Sequence, residues 1–166
     1  MKKTMMFIAL FAVVAVSLSA RTERLFEAAE GYFAPVISVM RGDSVAVTIG
    51  GADRHGRYTL VSFWSSSEPQ SRIDANRYAA FARTADATRF SLVSVNLDTS
   101  GSLFREIVRR DRLDESAQCH AGGRQAGRIV DAYDMRHGLC SFLLDPQGRI
   151  VAVNPSRAIL AAKIKR

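Results

Sequence analysis

The residues from Tyr58 to Arg72 constrain the fold more than any other part of the sequence. The run Tyr-Thr-Leu-Val-Ser-Phe-Trp, which ends at Trp64, is rich in β-branched and aromatic residues, as is typical of a strand buried on both faces. Three serines follow, and Pro69 marks where a helix can start, because proline fits the first helical turn. A buried strand that leads through a short polar turn into a helix indicates an α/β unit.

Strand and helix patterns continue to alternate along the chain. Residues 90–98 and 139–144 are further apolar runs, and between them apolar residues recur at helical spacing. This alternation predicts an α/β fold with parallel strands at its centre. The predicted elements are helix 22–30, strands 33–39 and 44–49, strand 58–64, helix 71–82, strand 90–98, helix 103–110, extended segment 117–120, helix 126–133, strands 139–144 and 149–153, and a last helix that Asn154 or Ser156 can start.

Residues 1–20 have the composition of a secretory signal peptide. Lys2 and Lys3 give a positive start, residues 5–16 form an apolar run, and small residues precede a cleavage site. The run is shorter than the roughly 20 residues that a membrane-spanning helix needs. We therefore predict a signal peptide over 1–20 and one domain over 21–166. The alternative is that this segment stays uncleaved as an anchor, and the protein would then contact the membrane through it alone.

Composition excludes several classes of function. The formal net charge is +7, but acidic and basic residues are interspersed except in the short basic tail at 163–166. Because basic residues do not interleave with stacking aromatic residues, we predict no nucleic-acid binding. His55, His120 and His137 are dispersed without paired ligand spacing, so we expect no metal site. We also predict no cofactor.

Two motifs carry a resemblance to a known family. Phe63-Trp64 is followed by Arg72, and residues 142–150 are Phe-Leu-Leu-Asp-Pro-Gln-Gly-Arg-Ile. They resemble the Phe-Trp-Ala-x-Trp-Cys-x-Pro-Cys-Arg and Phe-Leu-Ile-Asp-x-x-Gly-x-Ile motifs of thioredoxin-like proteins of the secreted TlpA and AhpC/TSA type. The similarity extends over 31–166. It implies a thioredoxin-like α/β fold, with a central mixed sheet, an N-terminal β-hairpin and flanking helices.

The resemblance breaks down at the redox site. Glu68-Pro69-Gln70-Ser71 lies where the family has Cys-x-x-Cys, so Glu68 and Ser71 replace the cysteines. Neither can exchange disulfides, because that reaction needs a thiolate. A peroxiredoxin's reactive cysteine would also fall at or near Glu68. The family's cis-proline aligns with Leu139, where we expect a trans bond, because a cis bond without proline costs about 2.5–4 kcal/mol. The resemblance thus implies a degenerate active site, whose positions are Trp64, Glu68, Pro69, Ser71 and Leu139.

The side chains left at this site have a structural interpretation. Ser66 or Ser67 is expected to cap the helix, and Glu68 to complement the positive end of its dipole. A catalytic carboxylate would need a partner with a displaced pKa, and the sequence names none.

Cys119 and Cys140 are the two cysteines of the chain. In the family's strand order, three inter-strand steps of about 4.8 Å separate them, roughly 14 Å in all. A disulfide needs Cα atoms within about 7 Å, so we predict two free, buried thiols. The alternative is that Cys140 or Cys119 is a reactive thiol. His120 is a poor activator of Cys119, because neighbouring strand residues point to opposite faces.

These observations lead to one main functional hypothesis and two alternatives. The main hypothesis is an exported, periplasmic or envelope-associated protein without redox activity, whose former cleft binds a peptide or an envelope protein. The first alternative is a thiol-disulfide oxidoreductase or peroxidase-related enzyme acting through Cys140 or Cys119. The second is an inert domain of a larger envelope assembly.

Overall fold

The computed structural model describes residues 28–42, 45–53 and 55–164. The signal peptide predicted over 1–20 and most of the helix predicted over 22–30 lie outside these residues. The strands are β1 (Ile37–Arg41), β2 (Val45–Ile49), β3 (Tyr58–Trp64), β4 (Phe90–Asn96), β5 (Gln118–His120), β6 (Ser141–Leu144) and β7 (Ile150–Val153). The α-helices are α1 (Pro69–Ala82), α2 (Gly101–Arg110), α3 (Arg124–Ala132) and α4 (Arg157–Ile164).

The strands form one seven-stranded sheet in the order β2-β1-β5-β4-β3-β6-β7. β3, β4 and β5 are parallel, while the β1-β2 and β6-β7 hairpins extend the sheet with antiparallel pairs on either side. The α/β class, the central mixed sheet, the N-terminal hairpin and the flanking helices predicted from the sequence are therefore confirmed.

β3 lies at the centre because its side chains are apolar on both faces. Leu60 and Trp64 are fully buried in a core on the face covered by α1, α2 and α4. On the other face, which α3 covers, the Phe63 ring lies 4.8 Å from the Tyr133 ring and 6.2 Å from the Phe142 ring. Burial of each such side chain contributes about 1.5–3 kcal/mol. The two cores explain why β3 keeps the predicted bounds.

Polar side chains set several helix and strand ends. Ser100 caps α2 by accepting the Leu103 N–H at 3.2 Å, and Ser156 accepts the Ile159 N–H at 3.3 Å near the start of α4. Asn154 instead accepts the Ser141 N–H at 2.8 Å, so of the two candidates for starting the last helix only Ser156 does so. In the described part of the chain no helix is long and apolar enough to cross a membrane.

The predicted turn at 145–148 depends on Gly148. Its N–H donates to the Asp145 carbonyl at 2.9 Å, and its φ is 86°, in the left-handed region that favours glycine. A Cβ atom at this position would lie 2.3 Å from the Gly51 carbonyl oxygen. The turn thus brings the loop after β2 against the β6-β7 hairpin.

Candidate functional site

Asp98, two residues beyond the end of β4, holds the loop that joins β3 to α1. Its Oδ1 accepts the Ser65 hydroxyl at 2.6 Å, the Ser66 N–H at 2.9 Å and the Ser66 hydroxyl at 3.0 Å. Asn96 donates its side-chain N–H to Oδ2 at 2.9 Å. Because β3 and β4 are parallel, their carboxyl ends meet at one edge of the sheet, and the carboxylate lies beside the loop.

Asp98 is ionised although it is only 7% exposed. Burial disfavours the charged form, but hydrogen bonds from Ser65, Asn96 and Ser66 outweigh it, so the pKa of Asp98 lies below its usual value. In the described part of the chain no basic side chain forms an ion pair with Asp98. The sequence analysis missed this group. Its signal was a serine run after one buried strand and an aspartate after the neighbouring one.

Ser71 is a buried connection between the loop and the first turn of α1. Its hydroxyl accepts the Ser65 N–H at 3.1 Å and donates to the Glu68 carbonyl at 2.8 Å. The residue is 3% exposed. The hydroxyl proton is therefore engaged with a carbonyl oxygen.

The Glu68 carboxylate connects the start of α1 to the segment before β6. The Leu139 N–H lies 3.1 Å from Glu68 Oε1 and 3.2 Å from Oε2, so both oxygens are within hydrogen-bonding distance. Glu68 itself occupies the N-cap position and makes no side-chain cap. The structure thus brings Glu68, Ser71 and Leu139 into one hydrogen-bonded unit.

The prediction that Ser66 or Ser67 caps α1 is wrong. The Ser66 N–H and hydroxyl both donate to Asp98, and the Ser67 hydroxyl lies 2.8 Å from the Ser65 hydroxyl. The physical reason is that hydrogen bonds to an ionised carboxylate are stronger than those to a neutral group, so Ser66 turns toward Asp98, while Ser67 turns toward the Ser65 hydroxyl.

A cavity of about 540 Å³, the α1 cleft, opens beside this unit. An ion pair borders the α1 cleft. Arg72 Nε and Nη2 donate to the Asp111 carboxylate at 2.7 and 2.6 Å. Pro69 and Ile73 give it exposed apolar surface, and Ile73 is 58% exposed. Its lining residues are Ser66, Pro69, Arg72, Ile73, Asn76 and Asp111.

Solved structures share this architecture. A thioredoxin-like protein from Parabacteroides distasonis superposes with a TM-score of 0.73 at 28% identity, over 84% of this chain and 97% of that one. The chain belongs to the thioredoxin-like superfamily. A thiol:disulfide interchange protein from Bacteroides sp. superposes with a TM-score of 0.69 at 20% identity, over 82% of this chain and 88% of that one. A peroxiredoxin-like protein from Aquifex aeolicus superposes with a TM-score of 0.61 at 14% identity, over 84% of this chain and 87% of that one.

No protein-family model matches the chain, and no curated protein does. The assignment of the chain to the thioredoxin-like superfamily therefore rests on the strand order, the motifs around β3 and β6, and the solved structures. The superfamily predicted from those motifs is confirmed.

Two strands separate the cysteines of this thioredoxin-like protein. Cys119 lies on β5 and Cys140 directly before β6, with β4 and β3 between them, and both thiols are free. The prediction that they do not pair is confirmed. Cys119 is 1% exposed, and burial raises the pKa of its thiol although the neighbouring Arg41 guanidinium acts in the opposite direction.

The prediction that both thiols are buried is wrong for Cys140. This residue is partly exposed, and its Sγ lies 3.7 Å from the Gly138 carbonyl. The reason is that β6 begins at Ser141, so Cys140 belongs to the preceding loop and not to the strand predicted from residue 139.

The Trp64 side chain lies in the core. Trp64 is fully buried and packs on Phe104, with ring centroids 6.1 Å apart. The described residues contain no cis peptide bond, so the bond at Leu139 is trans as expected. The His120 ring stacks on Phe104 and lies 2.8 Å from the Asp98 carbonyl, on the face opposite Cys119.

Within 28–42, 45–53 and 55–164, no cluster of three potential metal ligands occurs.

Proposed function

We propose that this protein is an exported, redox-inactive thioredoxin-like protein that binds a peptide or an envelope protein at the α1 cleft. The observation that carries the proposal is the use of Glu68 and Ser71, the residues at the proposed cysteine positions. Both hold backbone groups in place, the Leu139 N–H in one case and the Ser65 N–H in the other.

The chemistry of these two residues supports a binding function. A disulfide exchange needs a thiolate at this position, and neither a carboxylate nor a hydroxyl can form one. The Ser71 hydroxyl is also unsuited to nucleophilic attack, because it is 3% exposed and donates its proton to a carbonyl oxygen, which is not a base.

The α1 cleft has the surface that a protein partner would need. Ile73 and Pro69 present exposed apolar surface, and the Arg72–Asp111 ion pair borders it with both signs of charge. A partly polar rim around an apolar centre is the usual arrangement of a protein-binding surface. Export rests on the signal peptide predicted over 1–20, and cell fractionation of the tagged chain tests it.

A specific observation favours one enzymatic alternative. Cys140 is a partly exposed free thiol directly after Leu139, whereas Cys119 is 1% exposed. If the protein does exchange disulfides, Cys140 is therefore the thiol that would react.

Reduction of insulin by dithiothreitol separates the two functions. We expect the purified protein to give no rate above buffer, and the variants Cys140→Ser and Cys119→Ser to behave in the same way. A rate above buffer that disappears only in Cys140→Ser would overturn the redox-inactive proposal.

A photo-crosslinking amino acid at position 73 tests binding at the α1 cleft. We expect a discrete crosslinked species when the protein is produced in a bacterial cell envelope. Position 103 is the matched control, because Leu103 is a 40% exposed apolar residue on α2. Equal crosslinking at both positions, or none at position 73, would reject the cleft as the binding site.

A further inference from the structure

A second cavity lies beside the amino-terminal end of β5. We call it the β5 cavity. It has a volume of about 700 Å³ and is bounded by the end of β1, by α2 and by the single-turn helix Glu115–Ala117. Because β3 and β5 run in the same direction, it lies toward the sheet edge opposite the loop that Asp98 holds. Its volume is within the range of about 300–1,000 Å³ that is usual for small-molecule sites.

Two residues that line the β5 cavity have buried polar atoms without hydrogen-bond partners among the described residues. Gln118 is 3% exposed, and its Oε1 makes no hydrogen bond with any described residue. The Arg41 Nε atom is also buried and unpartnered among these residues. Both residues line the cavity. Buried polar groups in proteins are usually hydrogen-bonded, so an acceptor and a donor left in one cavity indicate a ligand that supplies a donor and an acceptor.

The charges of the lining favour a ligand with one negative charge. Arg41, Arg105 and Arg109 line the cavity, and in the described part of the chain none of them pairs with a carboxylate. Glu106 and Glu115 also line it, so the lining has a formal charge of +1. Guanidinium groups bind carboxylates through two parallel hydrogen bonds. A single carboxylate suits this balance better than a doubly charged phosphate.

Two residues of α2 add apolar surface to the charged side chains that this helix contributes to the lining. Phe104 and Val108 lie there and are 8% and 4% exposed. We propose that the β5 cavity binds a small organic carboxylate with a ring and an N–H group. The carboxylate contacts the arginines, the N–H donates to Gln118 Oε1, and the ring packs on Phe104.

Hippurate has all three features and serves as the probe. Its binding to the purified protein is followed by isothermal titration, beside its methyl ester, N-methylhippurate and inorganic phosphate. We expect saturable binding of hippurate, and at least about tenfold weaker binding of the ester, which lacks the charge, and of N-methylhippurate, which lacks the donor. Equal binding of hippurate and its ester, tighter binding of phosphate, or no saturation below about 10 mM hippurate would overturn the proposal.

Variants place the binding in this cavity. Arg41→Gln and Arg105→Gln are each expected to weaken hippurate binding about tenfold. Gln118→Met is expected to remove the preference for hippurate over N-methylhippurate. Arg110→Gln is the matched control, because Arg110 is exposed on α2 and does not line the cavity, and it should leave the affinity unchanged. Should Gln118→Met not fold, the N-methyl arm in the parent protein still tests the hydrogen bond. An equal loss in Arg110→Gln and Arg41→Gln would also overturn the proposal.

Discussion

A single buried carboxylate organises the loop that joins β3 to α1. Asp98 collects hydrogen bonds from Ser65, Ser66 and Asn96, and these bonds keep it charged inside the protein. Such a group is stabilising only while its donors are aligned, because an ionised carboxylate without them would be costly to bury. Asp98 therefore fixes the shape of the loop, and through the Ser65 N–H it also fixes the position of Ser71.

Replacement of Asp98 by asparagine should destabilise the protein. Asp98→Asn turns one acceptor into a donor that faces other donors, at a cost of about 1–3 kcal/mol in the free energy of unfolding. Urea denaturation measures the change. Asp134→Asn is the control, since the Asp134 side chain is 57% exposed, and it should change the free energy by less than about 0.5 kcal/mol. Similar small effects in both variants would show that the Asp98 hydrogen bonds do not organise the fold.

The contribution of Asp98 should also depend on pH. Its pKa is lower in the folded chain than in the unfolded chain, where aspartate has a pKa of about 3.9. As pH falls, the unfolded chain takes up this proton first, so the stabilisation is complete above about pH 3.9 and is lost as pH falls through the folded value. The difference in unfolding free energy between the parent and Asp98→Asn should thus shrink below about pH 4. A difference that is constant from neutral to acidic pH would contradict the assignment.

Helices α1 and α2 are joined at one point by a short-contact ion pair. Arg72 on α1 donates twice to Asp111, the residue directly after α2, and the side chains are 30% and 13% exposed. Asn76 contributes a weaker contact to the same carboxylate at 3.4 Å. Both residues also line the α1 cleft, so this contact connects the two helices at the border of the cleft.

A double-mutant cycle with Arg72→Met and Asp111→Asn should give a coupling energy of about 1–2 kcal/mol, since the pair makes two charged hydrogen bonds and is partly shielded from water. Arg77 and Asp74 provide the matched control within α1, where the Arg77 side chain is 57% exposed. Their coupling should be below about 0.5 kcal/mol. Thermal or urea unfolding measures both cycles. Equal couplings would mean that the Arg72–Asp111 contact is an ordinary surface pair.

Sequence patterns predicted the elements well where burial sets them. β3 occupies the predicted residues because its run of apolar and β-branched side chains is buried on both faces of the sheet. β4 ends at Asn96 and not at residue 98, because Asn96 accepts the Asp98 N–H at 3.1 Å and the chain turns out of the sheet. β6 likewise begins at Ser141, two residues after the start of the strand predicted over 139–144. Strand ends depend on such side-chain bonds, which hydrophobic patterns do not contain.

The candidate site was less predictable than the sheet. Trp64, Glu68, Ser71 and Leu139 were identified by resemblance, but the bonds that Glu68 and Ser71 make depend on three-dimensional neighbours. The Leu139 N–H comes from a segment 71 residues away from Glu68 in sequence. Gln118 could not be singled out at all, because an unpartnered amide is recognisable only when its surroundings are known. Local patterns therefore identify elements, while long-range polar contacts must be observed.

At the scale of the whole molecule, the order of the strands limits the redox chemistry that the chain can perform. Cys119 and Cys140 lie on opposite sides of the β4-β3 pair, three inter-strand steps apart, or roughly 14 Å. An internal disulfide needs Cα atoms within about 7 Å, and closing that gap would require the central parallel strands to separate. Any disulfide that this protein forms is therefore with another molecule.

Thiol labelling under native conditions tests this arrangement. We expect two free thiols by mass spectrometry without reductant, with Cys140 labelled by a maleimide within minutes and Cys119 only after denaturation, because Cys119 is 1% exposed and burial raises its thiol pKa. Cys140→Ser and Cys119→Ser assign each labelling event. A mass two protons lower, with no labelling until a reductant is added, would contradict the strand order. Labelling of Cys119 as fast as Cys140 would instead show that β5 opens readily, since a buried thiol becomes accessible only through local unfolding.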